Sequence, residues 1–179
     1  MEIWDAYDRQ GAKTGTDLIR GEKIGEGLYH LVCEVVVRHA DGEYLLLQRD
    51  FRKEAYPGFE EIGAGGSALK GETPLQGAVR ELREESGIEA GELEELYRIV
   101  SDRSHAIHHG YLCVTDAPKD SIVLQEGETI GYRWIGREEL IAFFDSDACI
   151  LAQRERLKEY MDSIRSSAGS MVAVPSKET

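Results

Sequence analysis

Apolar and polar positions along this chain fall into two periods. Tyr29–Val37 (YHLVCEVVV) is β-branched and nearly continuous in apolar residues, which predicts a strand inside a sheet. Ala40-Asp41-Gly42 reads as a hairpin turn, and Glu43–Arg49 as the returning strand. Before them, Ile3, Trp4 and Tyr7, a turn at Asp8-Arg9-Gln10-Gly11, and Thr14–Ile19 predict a small hairpin. Asp50–Ala64 reads as a loop with a turn at Pro57-Gly58. Further strands are predicted at Leu93–Val100, His108–Val114, Gly131–Ile135 and, as a short one, Ile122–Leu124. Helical spacing governs Arg137–Phe144 and Cys149–Ile164. From Ser166 the chain is small and polar apart from MVAV, the pattern of a mobile tail. Strands, one helix, more strands and closing helices make an α/β (α+β) chain, with a mixed sheet and helices on its faces.

The central helix is marked at both ends. Thr73 suits the N-cap, Pro74 the first helical position, and Gln76 completes a capping box. Gly87 suits the residue after the C-cap. Leu75, Ala78, Val79 and Leu82 fall on one stripe, expected to be buried. Glu81, Glu84 and Glu85 fall on a second stripe, expected to be exposed. These carboxylates repel one another by a few tenths of a kcal/mol per pair, near the helix end that disfavours negative charge. A solvated acidic face has this pattern; so does an oxygen-ligand site for a hard divalent cation.

Composition narrows the choice. With 179 residues, 41% hydrophobic and 31% charged, the chain suits one soluble globular domain. A net charge of −13 argues against binding nucleic-acid backbones or an anionic membrane surface. Small phosphorylated ligands stay open if cations screen the carboxylates. The three cysteines, Cys33, Cys113 and Cys149, lack metal-type spacing and read as reduced, buried thiols. No run approaches the ~18 apolar residues of a membrane span, and the start has no apolar signal core, so a cytoplasmic location is expected.

Gly66-x5-Glu72-x7-Arg80-Glu81-Leu82-x-Glu84-Glu85-x-Gly87-Ile88 resembles the Nudix box without departure. That resemblance to the Nudix hydrolase family implies an α/β/α sandwich over about residues 28–165. Residues 1–27 would form an N-terminal extension, able to act as an arm if the chain is a homodimer. It also implies hydrolysis of a diphosphate linkage, in a nucleoside diphosphate joined to another group, with Mg²⁺ or Mn²⁺. By position, Glu81, Glu84 and Glu85 would be metal ligands, Glu81 also a base for water, and the Gly66 carbonyl would complete the shell. Glu72 and Arg80 would pair behind them. A late-loop carboxylate is expected at Glu128 in preference to Glu126. A ligand-binding domain with little turnover is the alternative.

The N-terminal layout is similar to the isopentenyl-diphosphate isomerase branch: IWDAYD, Gly27-Leu28-Tyr29-His30-Leu31, and Gln48-Arg49-x3-Lys53-x3-Pro57-Gly58. That likeness makes Arg49 and Lys53 candidates for phosphate contact. Isomerization itself is disfavoured. Ile62–Ser67 holds no cysteine where isomerases carry theirs, and Ser104–His109 holds no carboxylate pair. His30, at an isomerase metal position, reads as a satisfied, partly buried histidine. His105, His108 and His109 read chiefly as exposed polar residues between strands, with substrate contact or a transition-metal site as alternatives. Trp4, Trp134, Tyr29, Tyr44 and Tyr111 read as core, while Phe51, Tyr56 and Phe59 are candidates for lining a ligand pocket.

Overall fold

The structure, a computed structural model, describes residues 1–167. The N-terminal hairpin is β1 (Ile3–Tyr7) and β2 (Lys13–Ile19), a separate two-stranded sheet. It folds onto the rest of the chain: Tyr7 bridges Tyr29, and Lys70 N–H donates to the Ile3 carbonyl at 2.9 Å. Trp4, Ala6 and Leu18 form a small core of their own under it.

The main sheet is mixed. Its path is β5 (Glu60–Ile62), β4 (Tyr44–Arg49), β3 (His30–His39), β8 (Ala106–Thr115) and β7 (Leu93–Ser101). β6 (Ala64–Ser67) also pairs with β3, and β9 (Thr129–Ile135) with β4. β3 and β8 run parallel along their whole length, from His30 opposite Ala106 to His39 opposite Thr115. β3 and β4 pair only at Arg38 and Tyr44, so the hairpin opens and β6 takes the other half of β3. The apolar run of β3 therefore has partners on both edges, as its composition demands.

Alternation along β3 assigns two cores. Cys33, Val35 and Val37 face α1 (Pro74–Ser86), packing with Ala78 and Leu82. Val36, with Leu46 and Ile62, faces α2 (Arg137–Asp145) and α3 (Leu151–Ser167) through Leu140, Leu157 and Met161. The result is an α/β/α sandwich. All three cysteines are free and buried.

Four expectations need correction. The loop expected over 50–64 contains β5, because β4 offers it an edge, and Gly66 lies in a strand, because the freed half of β3 pairs with β6. Ile122–Leu124 forms no strand; Val123 N–H donates instead to the Ser86 carbonyl at the end of α1. On α1, Leu75 and Val79 are 47% and 36% exposed, and the buried stripe is Gly77, Ala78, Leu82, Glu85 and Ser86. Close approach explains this turn of the helix: a Cβ at Gly77 would lie 2.9 Å from the Cys33 sulfur. Finally, Ser166 and Ser167 complete α3, and the rest of the expected tail lies outside the described residues.

Candidate active site

The box begins on β6, where Gly66 sits opposite Cys33 of β3. The chain then loops into α1. Thr73 Oγ1 accepts from Gln76 N–H at 3.2 Å, and Gln76 Oε1 accepts from Thr73 N–H at 2.9 Å. Gly87, at φ 73°, ends the helix. These caps fix where the glutamates begin and end.

Arg80 is the hub behind them. Its Nε donates to Glu72 at 2.9 Å and its Nη2 to the Ser67 carbonyl at 2.9 Å. Its Nη1 donates to Glu81 at 2.7 Å and Glu84 at 3.1 Å. Glu72 also accepts from Leu69 N–H at 2.8 Å, so this pair ties the loop to the helix. The Glu81 carboxylate lies against Gly66: a Cβ there would sit 2.5 Å from Glu81 Cδ. A side chain at Gly66 would push the Glu81 carboxylate out of this position.

The acidic stripe is only partly the exposed one its spacing predicts: Glu84 is exposed, Glu81 is half-buried and Glu85 is buried. Glu85 is 4% exposed and accepts from Gly65 N–H at 3.0 Å. Burial, then the neighbouring Glu61, push its carboxyl well above the usual range. Burial likewise raises Glu81. Desolvated, mutually repelling carboxylates of this kind are relieved by a cation.

The cavity in front of them holds about 460 Å³. Glu81, Glu84, Glu85, Gly66 and Arg80 line one side, and Arg49, Lys53 and Glu128 also line it. Glu126 is absent from the lining, which distinguishes it from Glu128. Arg49 Nη1 contacts both Glu61 oxygens, at 2.9 and 3.2 Å, while its Nε donates to the Ala55 carbonyl. Lys53 pairs with Glu128. The donor set, carboxylates plus a strand carbonyl, suits a hard divalent cation in kind. Among the described residues, no three His, Cys, Asp or Glu side chains are gathered tightly enough to hold an ion. Arg80 spans Glu81 and Glu84, and Lys53 engages Glu128.

The N-terminal hairpin contributes a wall that sequence reasoning missed. Glu2, Trp4 and Arg20 line the same cavity, and Arg20 Nη1 donates to Glu2 at 2.6 Å. Trp4 stacks on His30 at 4.3 Å between ring centres. Burial lowers the His30 pKa to about 4, so the ring is neutral at pH 7, and its Nδ1 lies 3.2 Å from Ser67 Oγ. No signal in the hairpin sequence marks this role, since its pairing to Tyr29 is a long-range event.

The three later histidines do not converge. His105 Nδ1 lies 3.2 Å from the Leu28 carbonyl and His109 Nδ1 3.2 Å from Glu95. His108 is not the exposed residue expected; it is buried in β8. It sits beside Glu34, another residue the sequence reading passed over. Tyr97 Oη donates to Glu34 at 2.7 Å and Arg156 Nε at 2.6 Å. The Tyr97 ring passes over Gly110, where a Cβ would collide with it. Burial pushes the Glu34 carboxyl up, but His108 and Arg156 outweigh it and hold the pKa at about 2. A lone charge in an apolar strand signals an obligatory partner, though not which one.

A NUDIX domain profile matches residues 28–155. The chain belongs to the Nudix hydrolase family, whose members act on nucleoside diphosphate derivatives and generally use divalent metal ions. It is 35% identical over 150 residues to the Nudix hydrolase lmo0368 of Listeria monocytogenes, covering 82% of this chain and 86% of that one. It is 25% identical over 142 residues to isopentenyl-diphosphate Δ-isomerase of Escherichia coli, covering 76% and 78%. The crystal structure of DR0079 from Deinococcus radiodurans shares the fold, with a TM-score of 0.69 at 20% identity, covering 92% and 98%. The NUDIX domain of Shewanella oneidensis NrtR, complexed with ADP-ribose, aligns with a TM-score of 0.57 at 15% identity, covering 78% and 88%. No helix among the described residues is long and apolar enough to cross a membrane.

Proposed function

We propose that this chain is a metal-dependent pyrophosphohydrolase that cleaves the diphosphate linkage of a nucleoside diphosphate joined to another group. One observation carries the reading: buried Glu85, half-buried Glu81 and exposed Glu84 share a cavity with Arg49, Lys53 and Arg80. Glu81, Glu84, Glu85, Glu128 and the Gly66 carbonyl would hold Mg²⁺ or Mn²⁺. When bound, the metal supplies charge neutralisation at the bridging and leaving oxygens. Glu81, held against Gly66, accepts the proton of the attacking water. Arg49 is braced by Glu61 and presents its guanidinium to a phosphate oxygen. Lys53 exchanges Glu128 for the substrate, which frees Glu128 to face the metal. Glu72 keeps Arg80 in place, and Arg80 keeps the loop on the helix. The ADP-ribose bound by the NrtR domain is a ligand of the proposed type.

The test is turnover, at saturating Mg²⁺ or Mn²⁺, on a panel of nucleotide sugars, dinucleotides, nucleoside triphosphates and isoprenoid diphosphates. Glu81→Gln and Glu85→Gln are expected to lower kcat by at least about 10²-fold, since each removes charge from the cation's surroundings. Unchanged kcat in both variants overturns the assignment. One observation favours a second reading, ligand binding with little turnover: Arg80 already pairs with Glu81 and Glu84, and Lys53 with Glu128. Binding across the panel without product would establish it. Isomerization is disfavoured further, because no cysteine lines the cavity.

A further inference from the structure

Four cations line the acidic cavity: Arg20, Arg49, Lys53 and Arg80. Three of them are committed to the protein. Arg80 reaches Glu72, Glu81, Glu84 and the Ser67 carbonyl, Arg49 lies between Glu61 and the Ala55 carbonyl, and Lys53 sits on Glu128. Their side chains are 18%, 15% and 17% exposed. Arg20 differs. Its side chain is 55% exposed, and Glu2 engages it through Nη1. A guanidinium carries five N–H donors in a fixed fork, so one engaged nitrogen leaves the others to a ligand or to water.

An arginine this exposed is ordinarily a mobile, solvated charge. This one is held. Glu2 Oε2 accepts from Arg20 Nη1 at 2.6 Å, and Glu2 Oε1 accepts from Trp4 Nε1 at 2.7 Å. Trp4 is buried, stacked on the His30 ring. Backbone joins the same pair, since Arg20 N–H donates to the Glu2 carbonyl at 3.1 Å. A buried indole thus fixes a carboxylate, and the carboxylate fixes a guanidinium on the cavity wall. The hydrogen bond to Glu2, then the charges of Glu2, Glu128 and Glu81, outweigh burial and keep Arg20 firmly cationic.

The hairpin that carries Arg20 lies before the matched domain, which begins at residue 28. It is nonetheless pinned to the loop that leads into α1. Gly71 N–H donates to Asp5 at 2.8 Å, and Lys70 Nζ to Asp17 at 2.6 Å. Tyr7 and Tyr29 exchange two backbone bonds, at 2.8 and 2.9 Å. These ties seat the hairpin, and Arg20 with it, over the box. A cation held beside carboxylates that would bind Mg²⁺ repels the metal and attracts an anion bound to it. Arg49 and Lys53 come from the end of β4 and the segment after it, Arg20 from just past β2. Cations presented by two separate elements suit an anion with two charged centres.

We propose that Arg20 is a substrate-binding residue, its remaining donors holding one phosphate of the diphosphate while Arg49 and Lys53 hold the other. That the anion is a diphosphate rests on the pyrophosphohydrolase reading of the cavity; that Arg20 holds an anion there does not.

Calorimetric titration of the full chain with methylenediphosphonate, in Mg²⁺, tests the contact, because the carbon bridge of this probe cannot be hydrolysed. Wild type is expected to bind it. Arg20→Gln is expected to weaken binding about tenfold or more, as loss of a charge-assisted hydrogen bond implies. Arg20→Lys recovers part of that loss, since charge returns without the fork. Lys13→Gln controls for charge alone: Lys13 is on the same hairpin but pairs with Asp5 and lines a different cavity. Its affinity should stay within about twofold of wild type, because solvent and salt screen an exposed charge. Mn²⁺ titrated alone should bind Arg20→Gln at least as tightly as wild type, a repelling charge having gone. The proposal is overturned if wild type binds no methylenediphosphonate, if Arg20→Gln leaves its affinity unchanged, or if Lys13→Gln weakens it equally. Loss of Mn²⁺ affinity in Arg20→Gln overturns it too, by making the residue a structural one. If the substrate panel yields no product while the Arg20→Gln loss persists, the hydrolase reading fails and the contact stands. If Arg20→Gln turns over substrate with wild-type KM, the contact fails and the hydrolase reading stands.

Discussion

On the α1 face of the sheet, Glu81, Glu84 and Glu85 come from one helix, crowd together and repel. On the α3 face, Glu34, Tyr97, His108 and Arg156 come from β3, β7, β8 and α3. Local spacing forces the first group into proximity, where Arg80 bridges Glu81 and Glu84 and leaves Glu85 without a cation of its own. The second group is already neutralised, and tertiary contact alone assembles it. Their carboxyls accordingly shift in opposite directions: Glu85 upward through burial and Glu61, Glu34 downward because His108 and Arg156 outweigh burial. A buried carboxylate with a guanidinium on it is structural as it stands, whereas one facing other carboxylates awaits something.

The largest effect that tests this contrast belongs to the α1 face. The loss of kcat in Glu81→Gln should come with an unfolding free energy within about 1 kcal/mol of wild type, by urea titration, since no stabilising charge pair is exclusive to that residue. A large loss of stability there would erase the distinction between the faces.

Next is Arg156→Met. It leaves Glu34 buried without its cation and should cost about 3–5 kcal/mol. At roughly 2–4 °C per kcal/mol for a domain of this size, Tm falls by about 10 °C. Adding Glu34→Gln to Arg156→Met should restore most of that loss, because the stranded charge is gone. Failure of the second substitution to rescue breaks the claim that pairing, not packing, holds this face.

Acid titration separates the faces by sign. The folded pKa of Glu34, about 2, lies below the ordinary carboxyl value of 4.5. Its contribution is therefore present above pH 4.5 and lost as pH falls toward 2, in total about 3 kcal/mol by linkage. Glu34→Gln should flatten stability against pH in that window, measured by denaturant unfolding of the metal-free protein. An unchanged slope would refute the low pKa.

The smallest effect is Thr73→Ala. Loss of the capping box should cost about 1 kcal/mol, with kcat nearly unchanged, because α1 is also held by Ala78 and Leu82 against β3. A large drop in kcat would mean that the cap, not the sheet contact, positions the glutamates.

Much of the α1 face was legible in the chain. Cap residues, the Gly66–Ile88 spacing and the apolar run of β3 are local signals, and the helix limits and strand positions follow from them. The burial of Glu85 was not, since helical spacing defines which residues share a stripe and not which stripe faces inward. That choice was made by the close seating of Gly77 on Cys33. Glu61 stayed hidden for a related reason: β5 exists only because β4 offers it an edge. Trp4 and Arg20 reach the cavity only through the hairpin's docking on Tyr29.

Sequence by itself determined the class of protein, the helix that carries the glutamates, and the central strand β3 on which it packs. Tertiary structure decided which carboxylates are desolvated, which cations stand opposite, and that the N-terminal hairpin walls the cavity. The reason is distance along the chain. Contacts within a helical turn are set by covalent geometry, but Glu34 and Arg156, 122 residues apart, meet only after the sheet has formed and α3 has packed on it.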